Sequence, residues 1–303
     1  MIETRFTFNS EEDGLKLNGF KWLPDDSNLK GVLQIIHGSV EHSARYREYG
    51  RWLTERGFGV YIFDQRGHGE TAFNQEYLSL FSEDNGGWDM AINDVYQLTK
   101  LIKSEYSQLP IFILGHSMGS IEARDFAGRY GNEVDGVMLS GSVSNDFFNI
   151  TKLQLFLRLI KLNMNKHGKK FRSSFFHSLV YGKLRLSRDL EIEKNYKNDP
   201  YCGYTCTLEY LHEMISGIIN VSRTTHYSSV PTHLPMYLFS GSKDKVGGLK
   251  IKRVYESYKN AGVKDIEFKV YDDAFHEVLN ETNKEEVYQD TLDWMNRILV
   301  LDV

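Results

Sequence analysis

The sequence predicts an α/β protein, with a mostly parallel central sheet flanked by helices and interrupted by a helical cap. Short β-branched and aromatic runs alternate with segments of helical spacing at both ends of the chain. One such run, Ile111-Phe112-Ile113-Leu114, leads straight into Gly115-His116-Ser117-Met118-Gly119 and then into a helical pattern. The alternation stops between about Asn145 and Val230, a stretch too long and too apolar for a loop. Residues 1–144 and 231–303 are therefore assigned to the core and 145–230 to the cap, which carries helical patterns such as Leu153, Phe156, Leu157 and Ile160.

The elements follow in order. Arg5 to Phe8 and Gly19 to Trp22, separated by the turn at Asp13-Gly14, read as a small antiparallel start. Val32 to Ile36 is a buried strand, Tyr46 to Arg56 a helix closed by Gly57, and Val60 to Phe63 the next strand. Trp88, Ile92, Val95 and the Leu101/Ile102 pair recur at helical spacing ahead of the 111–114 strand. Ile121 to Ala127 reads as helix ending near Gly131, and Val137 to Leu139 as strand. Beyond the cap, strands at Met236–Phe239 and Ile266–Val270 flank a helix at Leu249–Asn260, and Val287 to Leu299 forms a closing helix.

A strand that must turn at once into a helix around one serine forces a tight bend. Glycines stand on either side because a Cβ at either place would collide with the neighbouring strand or helix. Ser117 is left exposed at the sheet edge. A serine hydroxyl needs a general base to become nucleophilic, and the base needs an orienting carboxylate. In elbow-type sites the partners follow in the order serine, acid, histidine, on loops after later strands. Asp244 in Gly241-Ser242-Lys243-Asp244 and His276 in Phe275-His276-Glu277 occupy those places. Asp244 also suits a plain turn; Asp272 and Asp273 compete for the acid role, though their nearness to His276 fits shaping of its loop. A developing oxyanion needs preorganised N–H donors. The N–H of Met118 is one candidate and that of Ser39, in the loop Ile36-His37-Gly38-Ser39, the other. His37 reads either as catalytic or as a residue packed under that loop to fix its shape.

The 303 residues suffice for a large core, and the apolar (41%) and charged (25%) fractions are ordinary for a globular chain. A net charge of -5 gives no global pull toward nucleic acid. No apolar run reaches the length of a bilayer span and no secretory signal opens the chain, so a cytoplasmic location is expected, possible peripheral contact with the inner membrane surface included. Cys202 and Cys206 read as reduced thiols, with no neighbours at metal-ligand spacing; neither a metal nor a cofactor is called for.

Taken together, the chain resembles α/β-hydrolases of the monoglyceride lipase and lysophospholipase type, sometimes grouped by sequence with serine aminopeptidases. The matching segments are His37-Gly38-Ser39 with Glu41-His42 and Arg45-Tyr46, Asp64-Gln65-Arg66-Gly67-His68-Gly69, Gly115 to Gly119, Gly241 to Asp244, Phe275-His276-Glu277, and Asp199-Pro200 in the cap. The resemblance implies Ser117, Asp244 and His276 as a catalytic triad, with the N–H groups of Ser39 and Met118 as the oxyanion hole. It makes the Asp64–Gly69 turn structural. Two departures stand out. Small apolar residues are more usual in the group at the place of Ser39, whose N–H nevertheless survives, and the cap matches little beyond Asp199-Pro200. Cys202 and Cys206, just after that match, are candidates for lining the pocket.

From Phe147 to Arg188 there is no Asp or Glu, but there are Lys152, Arg158, Lys161, Lys166, Lys169, Lys170, Arg172, Lys183, Arg185 and Arg188, interleaved with Leu, Ile and Phe. This is either a solvated helical face or a basic amphipathic cap that meets anionic lipid or a phosphate-bearing acyl substrate. The expected activity is serine hydrolysis of amphiphilic carboxylic esters such as monoacylglycerols or lysophospholipids, through an acyl-enzyme. Aminopeptidase, amidase or acyltransferase chemistry on the same triad is the alternative, and a spent ligand-binding module the alternative from another class. A serine at 117 argues against epoxide hydrolases and haloalkane dehalogenases, which need an aspartate nucleophile.

Overall fold

A computed structural model describes residues 1–25, 28–84, 86–143, 150–182 and 184–301. The expected core–cap boundary at 144/145, the start of the basic stretch at Phe147, and Lys183 lie outside the described residues.

Eight strands form one sheet: β1 (Ile2–Asn9), β2 (Lys16–Leu23), β3 (Gly31–Ile36), β4 (Phe58–Phe63), β5 (Ile111–His116), β6 (Gly136–Ser140), β7 (Met236–Gly241) and β8 (Ile266–Tyr271). Their spatial order is β1-β2-β4-β3-β5-β6-β7-β8. The β1/β2 and β2/β4 pairs are antiparallel and every other pair is parallel. β5, with the elbow at its end, thus sits centrally between β3 and β6.

Side-chain alternation along the strands divides the core in two. Ile111 and Ile113 point to the layer of α2 (Gly87–Glu105), α3 (Met118–Tyr130) and, later in the chain, the helix Ile251–Asn260. Phe112 and Leu114 point to the other layer, that of α1 (Arg47–Thr54) and the closing helix Lys284–Leu301. β3 to β7 are buried along their whole length, which is why their sequences read as continuous apolar runs rather than as alternation.

Between β6 and β7 stand α4 (Ile150–His167), α5 (Ser174–Tyr181), α6 (Leu190–Asn198), α7 (Leu208–Val221) and the single turn α8 (Thr224–Tyr227); α9 (Ile251–Asn260) and α10 (Lys284–Leu301) complete the chain. The helices of this insertion differ in kind. α7 is buried along most of its length, and a Cβ on its Gly217 would come within 2.3 Å of the Trp88 ring on α2. α6 buries no residue fully, and α4 only Leu153 and Ile160. Several of the basic residues of 147–188 are spent on holding this insertion down. Arg172 donates to the carbonyls of Thr205, Gln75 and Leu78, Lys169 to those of Glu83 and Asp84, and Lys170 pairs with Glu76 and Glu83. Arg188 pairs with the buried Glu281. No helix among the described residues is long and apolar enough to cross a membrane.

Candidate active site

The sequence compels the elbow. Ser117 sits at φ 53, ψ -117, a conformation that costs a non-glycine residue roughly 1–3 kcal/mol and persists only where its surroundings over-determine it. They do so through the two glycines. A Cβ on Gly115 would stand 2.2 Å from the carbonyl oxygen of Gly119, and one on Gly119 would stand 2.1 Å from that of Ile36 at the end of β3. Both obstacles are backbone, so neither can swing aside. Gly119→Ala is therefore expected to destabilise the fold by about 3 kcal/mol or more, the upper end for overpacking. On a chain of this size that lowers Tm by about 6 °C, which thermal unfolding followed by circular dichroism would register.

The fold brings the three residues expected for catalysis together from the ends of three strands. His276 Nε2 lies 2.8 Å from Ser117 Oγ. On the other side of the ring, His276 Nδ1 lies 3.0 Å from Asp244 Oδ1, an angled contact rather than a straight hydrogen bond. Asp244 is gripped from behind: Ser240 Oγ donates to Oδ2 at 2.8 Å, Val246 N–H to Oδ1 at 2.7 Å and Gly247 N–H to Oδ2 at 3.1 Å. Burial alone would push its carboxyl up, but His276 and these donors outweigh it and hold the group at about 2. Burial pulls the other way on His276, favouring the neutral ring; the Asp244 charge overcomes this and raises the imidazole above its ordinary value. Asp273 instead shapes a turn, exposed and at φ 57, its N–H donating to Ser242 Oγ.

The oxyanion loop is built from below. His37 is buried with Nδ1 against the carbonyl of Gly38 at 2.8 Å, and its Nε2 accepts the N–H of Gln65 at 3.0 Å. That places it under the loop and out of reach of Ser117 chemistry. Glu41 accepts the N–H of Gly38 at 2.5 Å and the Tyr46 hydroxyl at 2.9 Å, and pairs with Arg45. Burial disfavours the Glu41 carboxylate, yet Arg45, with His116, His37 and Gly38 N–H, holds it at about 2. Arg45 also grips Glu277, the neighbour of His276, with two bonds of 2.8 and 2.6 Å. A single guanidinium thus ties the oxyanion loop to the histidine loop across 232 residues of chain. Met118, at the first turn of α3, has an N–H with no partner inside its own helix.

Over Ser117 lies a cavity of about 300 Å³, lined at its base by Ser39, Ser117, Met118 and His276. Its walls are mostly apolar, with Leu179, Leu186, Met214 and Ile218 from the insertion facing Ile121 and Val143. That volume is at the low end of ligand pockets, roughly 300–1,000 Å³. Neither Cys202 nor Cys206 is among the lining residues, a correction to the expectation; both are free and buried, and burial raises both thiols. The fold also places Cys202 beside His42 and Asp199, their ligand atoms within 4.8 Å of one another, a grouping that spacing along the chain does not reveal. His42 Nε2 and Asp199 Oδ2 are paired at 2.9 Å, and the other oxygen of Asp199 accepts the N–H of Tyr201. The His42–Asp199 pair thus fastens the strand-end loop to the end of α6.

Comparison with known proteins joins this geometry to a family. The model of the serine aminopeptidase S33 family matches residues 27–283. The chain belongs to that family. Among the relatives of this S33 chain is the monoacylglycerol lipase of Mycolicibacterium smegmatis, 25% identical over 90% of each chain. Human monoglyceride lipase is 26% identical over 87% of this chain and 80% of its own. A highly thermostable carboxyl esterase from Bacillus coagulans, solved in complex with glycerol, superposes with a TM-score of 0.88 at 27% identity over 99% of both chains. The S33 chain is accordingly an α/β-hydrolase of the monoglyceride lipase-like group, and a carboxylic ester hydrolase.

Proposed function

We propose that Ser117, His276 and Asp244 form a catalytic triad that hydrolyses single-chain acyl esters, monoacylglycerols or lysophospholipids, through an acyl-enzyme. The observation that carries this reading is the 2.8 Å contact between His276 Nε2 and Ser117 Oγ at the base of an apolar cavity. Ser117 Oγ attacks the ester carbonyl as His276 takes its proton. The imidazolium, stabilised by Asp244, returns that proton to the departing alcohol. Water activated by the same histidine then hydrolyses the acyl-serine. The N–H groups of Ser39 and Met118 would hold the carbonyl oxygen as it gains charge.

Aminopeptidase action is disfavoured by the charges around the cavity. A substrate ammonium needs an uncommitted carboxylate. Among the described residues the two carboxylates lining the cavity, Glu41 and Glu277, are both held by Arg45. A panel of p-nitrophenyl esters, monoacylglycerols, lysophospholipids and aminoacyl amides tests the substrate reading. Single-chain esters should give the highest kcat/KM, and preference for the amides would overturn it.

The insertion supplies a surface suited to anionic lipid. Along one exposed face of α4 run Lys152, Leu155, Leu159, Leu162 and Lys166, with Arg158 and Lys161 beside them. Phe175 and Leu179 on α5 are exposed as well, and Leu179 also lines the cavity. Such a stripe lies in a lipid interface with its leucines buried and its cations at the headgroups. Leu155→Asp with Leu159→Asp is expected to reduce binding to phosphatidylserine vesicles at least tenfold in a sedimentation assay, while hydrolysis of a soluble p-nitrophenyl ester stays within twofold. Unchanged vesicle binding would sink the docking surface.

A further inference from the structure

The side chains of both proposed oxyanion-hole residues converge on one hydroxyl. Tyr210, fully buried on α7, donates to Ser39 Oγ at 2.5 Å and reaches Met118 Sδ at 2.8 Å. The same oxygen lies 3.3 Å from His68 Nε2. His68 Nδ1 is 2.9 Å from the carbonyl of Arg66, which can only accept, so Nδ1 carries the ring proton and Nε2 is an acceptor that competes with Ser39 Oγ for the single Tyr210 proton. From Ser39 the chain continues outward, for Ser39 Oγ is hydrogen-bonded to the hydroxyl of Tyr181 at the end of α5. Four segments distant in sequence therefore meet through hydroxyl groups: the 64–69 turn, α7, the oxyanion loop and α5.

The ring of Tyr210 is placed by other means. Thr207 caps α7 and accepts the N–H of Tyr210, and the ring stacks on Phe81 with centroids 4.9 Å apart and planes within 11°. The hydroxyl is thus free to act as a fixed post against which other groups are set. Ester hydrolysis depends on donors that are in place before charge develops, and a misplacement of about 1 Å costs on the order of 100-fold in rate. Ser39 lies two residues beyond the strand-end anchor His37, between Gly38, whose N–H is held by Glu41, and Val40, at φ 51, whose carbonyl accepts from Gly203 N–H and the Tyr196 hydroxyl; its side-chain bonds add a restraint at Ser39 itself.

We propose that Tyr210 is the positioning residue of the oxyanion hole, acting through Ser39 and Met118, and that Tyr181 links this post to the insertion. The proposal rests on the triad reading above. It assigns a role to the serine at 39, where the related group more usually carries a small apolar residue, and it gives α7 a part in catalysis rather than in coverage alone.

The test is steady-state kinetics on a soluble p-nitrophenyl ester for Tyr210→Phe, Ser39→Ala and the double variant, with thermal unfolding of each. Fluorophosphonate labelling of Ser117 in the parent enzyme is run first. Tyr210→Phe keeps the stacked ring and removes the post. It is expected to lower kcat about 10- to 100-fold with KM within about twofold, the split expected when an interaction made only in the transition state is weakened. Ser39→Ala should do the same, and the double variant should be no worse than the poorer single one, because both remove one link. Tyr181→Phe should lower kcat less than either. Parent-like kcat in Tyr210→Phe and Ser39→Ala, or losses that multiply in the double variant, would overturn the inference. If Tyr210→Phe fails to fold, Ser39→Ala and Tyr181→Phe carry the test alone. A parent enzyme in which Ser117 takes no label would refute the triad reading itself, a result distinct from either of these.

Discussion

Replacing Ser117 by alanine is expected to lower p-nitrophenyl ester turnover by 10⁴-fold or more, on the order found when the nucleophile of such a triad is removed. The fold should be untouched, since the strained φ of Ser117 is imposed by close backbone contacts at Gly115 and Gly119 and not by its hydroxyl. Removal of Oγ leaves His276 Nε2 without its partner at 2.8 Å in a cavity open to substrate and water, a modest change in stability. Turnover measured alongside circular dichroism separates chemistry from folding. Residual activity within tenfold of the parent, in a preparation free of other esterases, would overturn the nucleophile assignment. The rival idea of a spent binding module meets the same experiment, because it requires the parent to be inactive as well.

How much of this could be read from the chain depends on how local the constraint is. The elbow was legible because its cause lies within five residues: two glycines that backbone packing requires and a serine between them. The places of Asp244 and His276 beside Ser117 were legible because Asp244 follows a buried strand whose apolar run marks its end, and His276 follows an edge strand marked by the alternation of Ile266, Phe268 and Val270 with Glu267 and Lys269. The strands at 2–9 and 16–23 extend beyond the expected 5–8 and 19–22, since antiparallel pairing continues through polar residues that carry no apolar signal. The helix expected to start at Tyr46 opens instead as a 3-10 turn over Ser43–Tyr46, because Asp64 accepts both the N–H and the hydroxyl of Ser43 from another part of the chain. The same limit hid the supports of the site. Arg45 and Glu277 stand in the quoted motifs, but nothing in their spacing says that they pair. Tyr210 and Tyr181 are two of 18 tyrosines in helices of ordinary pattern, and only the folded chain sets them on Ser39. The basic stretch was visible as composition; which cations hold the 75–84 loop and which lie on the open face of α4 depends on tertiary contacts alone.

Asp244→Asn is expected to lower kcat by about 10⁴-fold while the protein remains folded, as loss of the orienting carboxylate does in triads of this kind. Two effects add. An amide can present its N–H₂ to His276 Nδ1, which favours the tautomer with the proton on Nε2, facing Ser117, where no base is then available. The charge that stabilises the imidazolium is also gone. The pH profile tests the second effect independently. In the parent, Asp244 raises His276 above its ordinary 6.5 despite full burial. With the neutral ring as the proposed base, kcat/KM should rise with pH and level off only above 6.5. Without Asp244, burial is the largest remaining influence, and it disfavours the charged ring. The acid limb of the residual activity should then move to lower pH, so that the variant loses rate at every pH but loses least on the acid side. Asp244 itself stays ionised throughout, being held at about 2. Comparing kcat/KM of parent and variant between pH 4 and 9 reads this directly. A limb that stays in place, or moves to higher pH, would mean that another carboxylate tunes His276. Glu277 and Glu41, which also raise it, would be the ones to replace next.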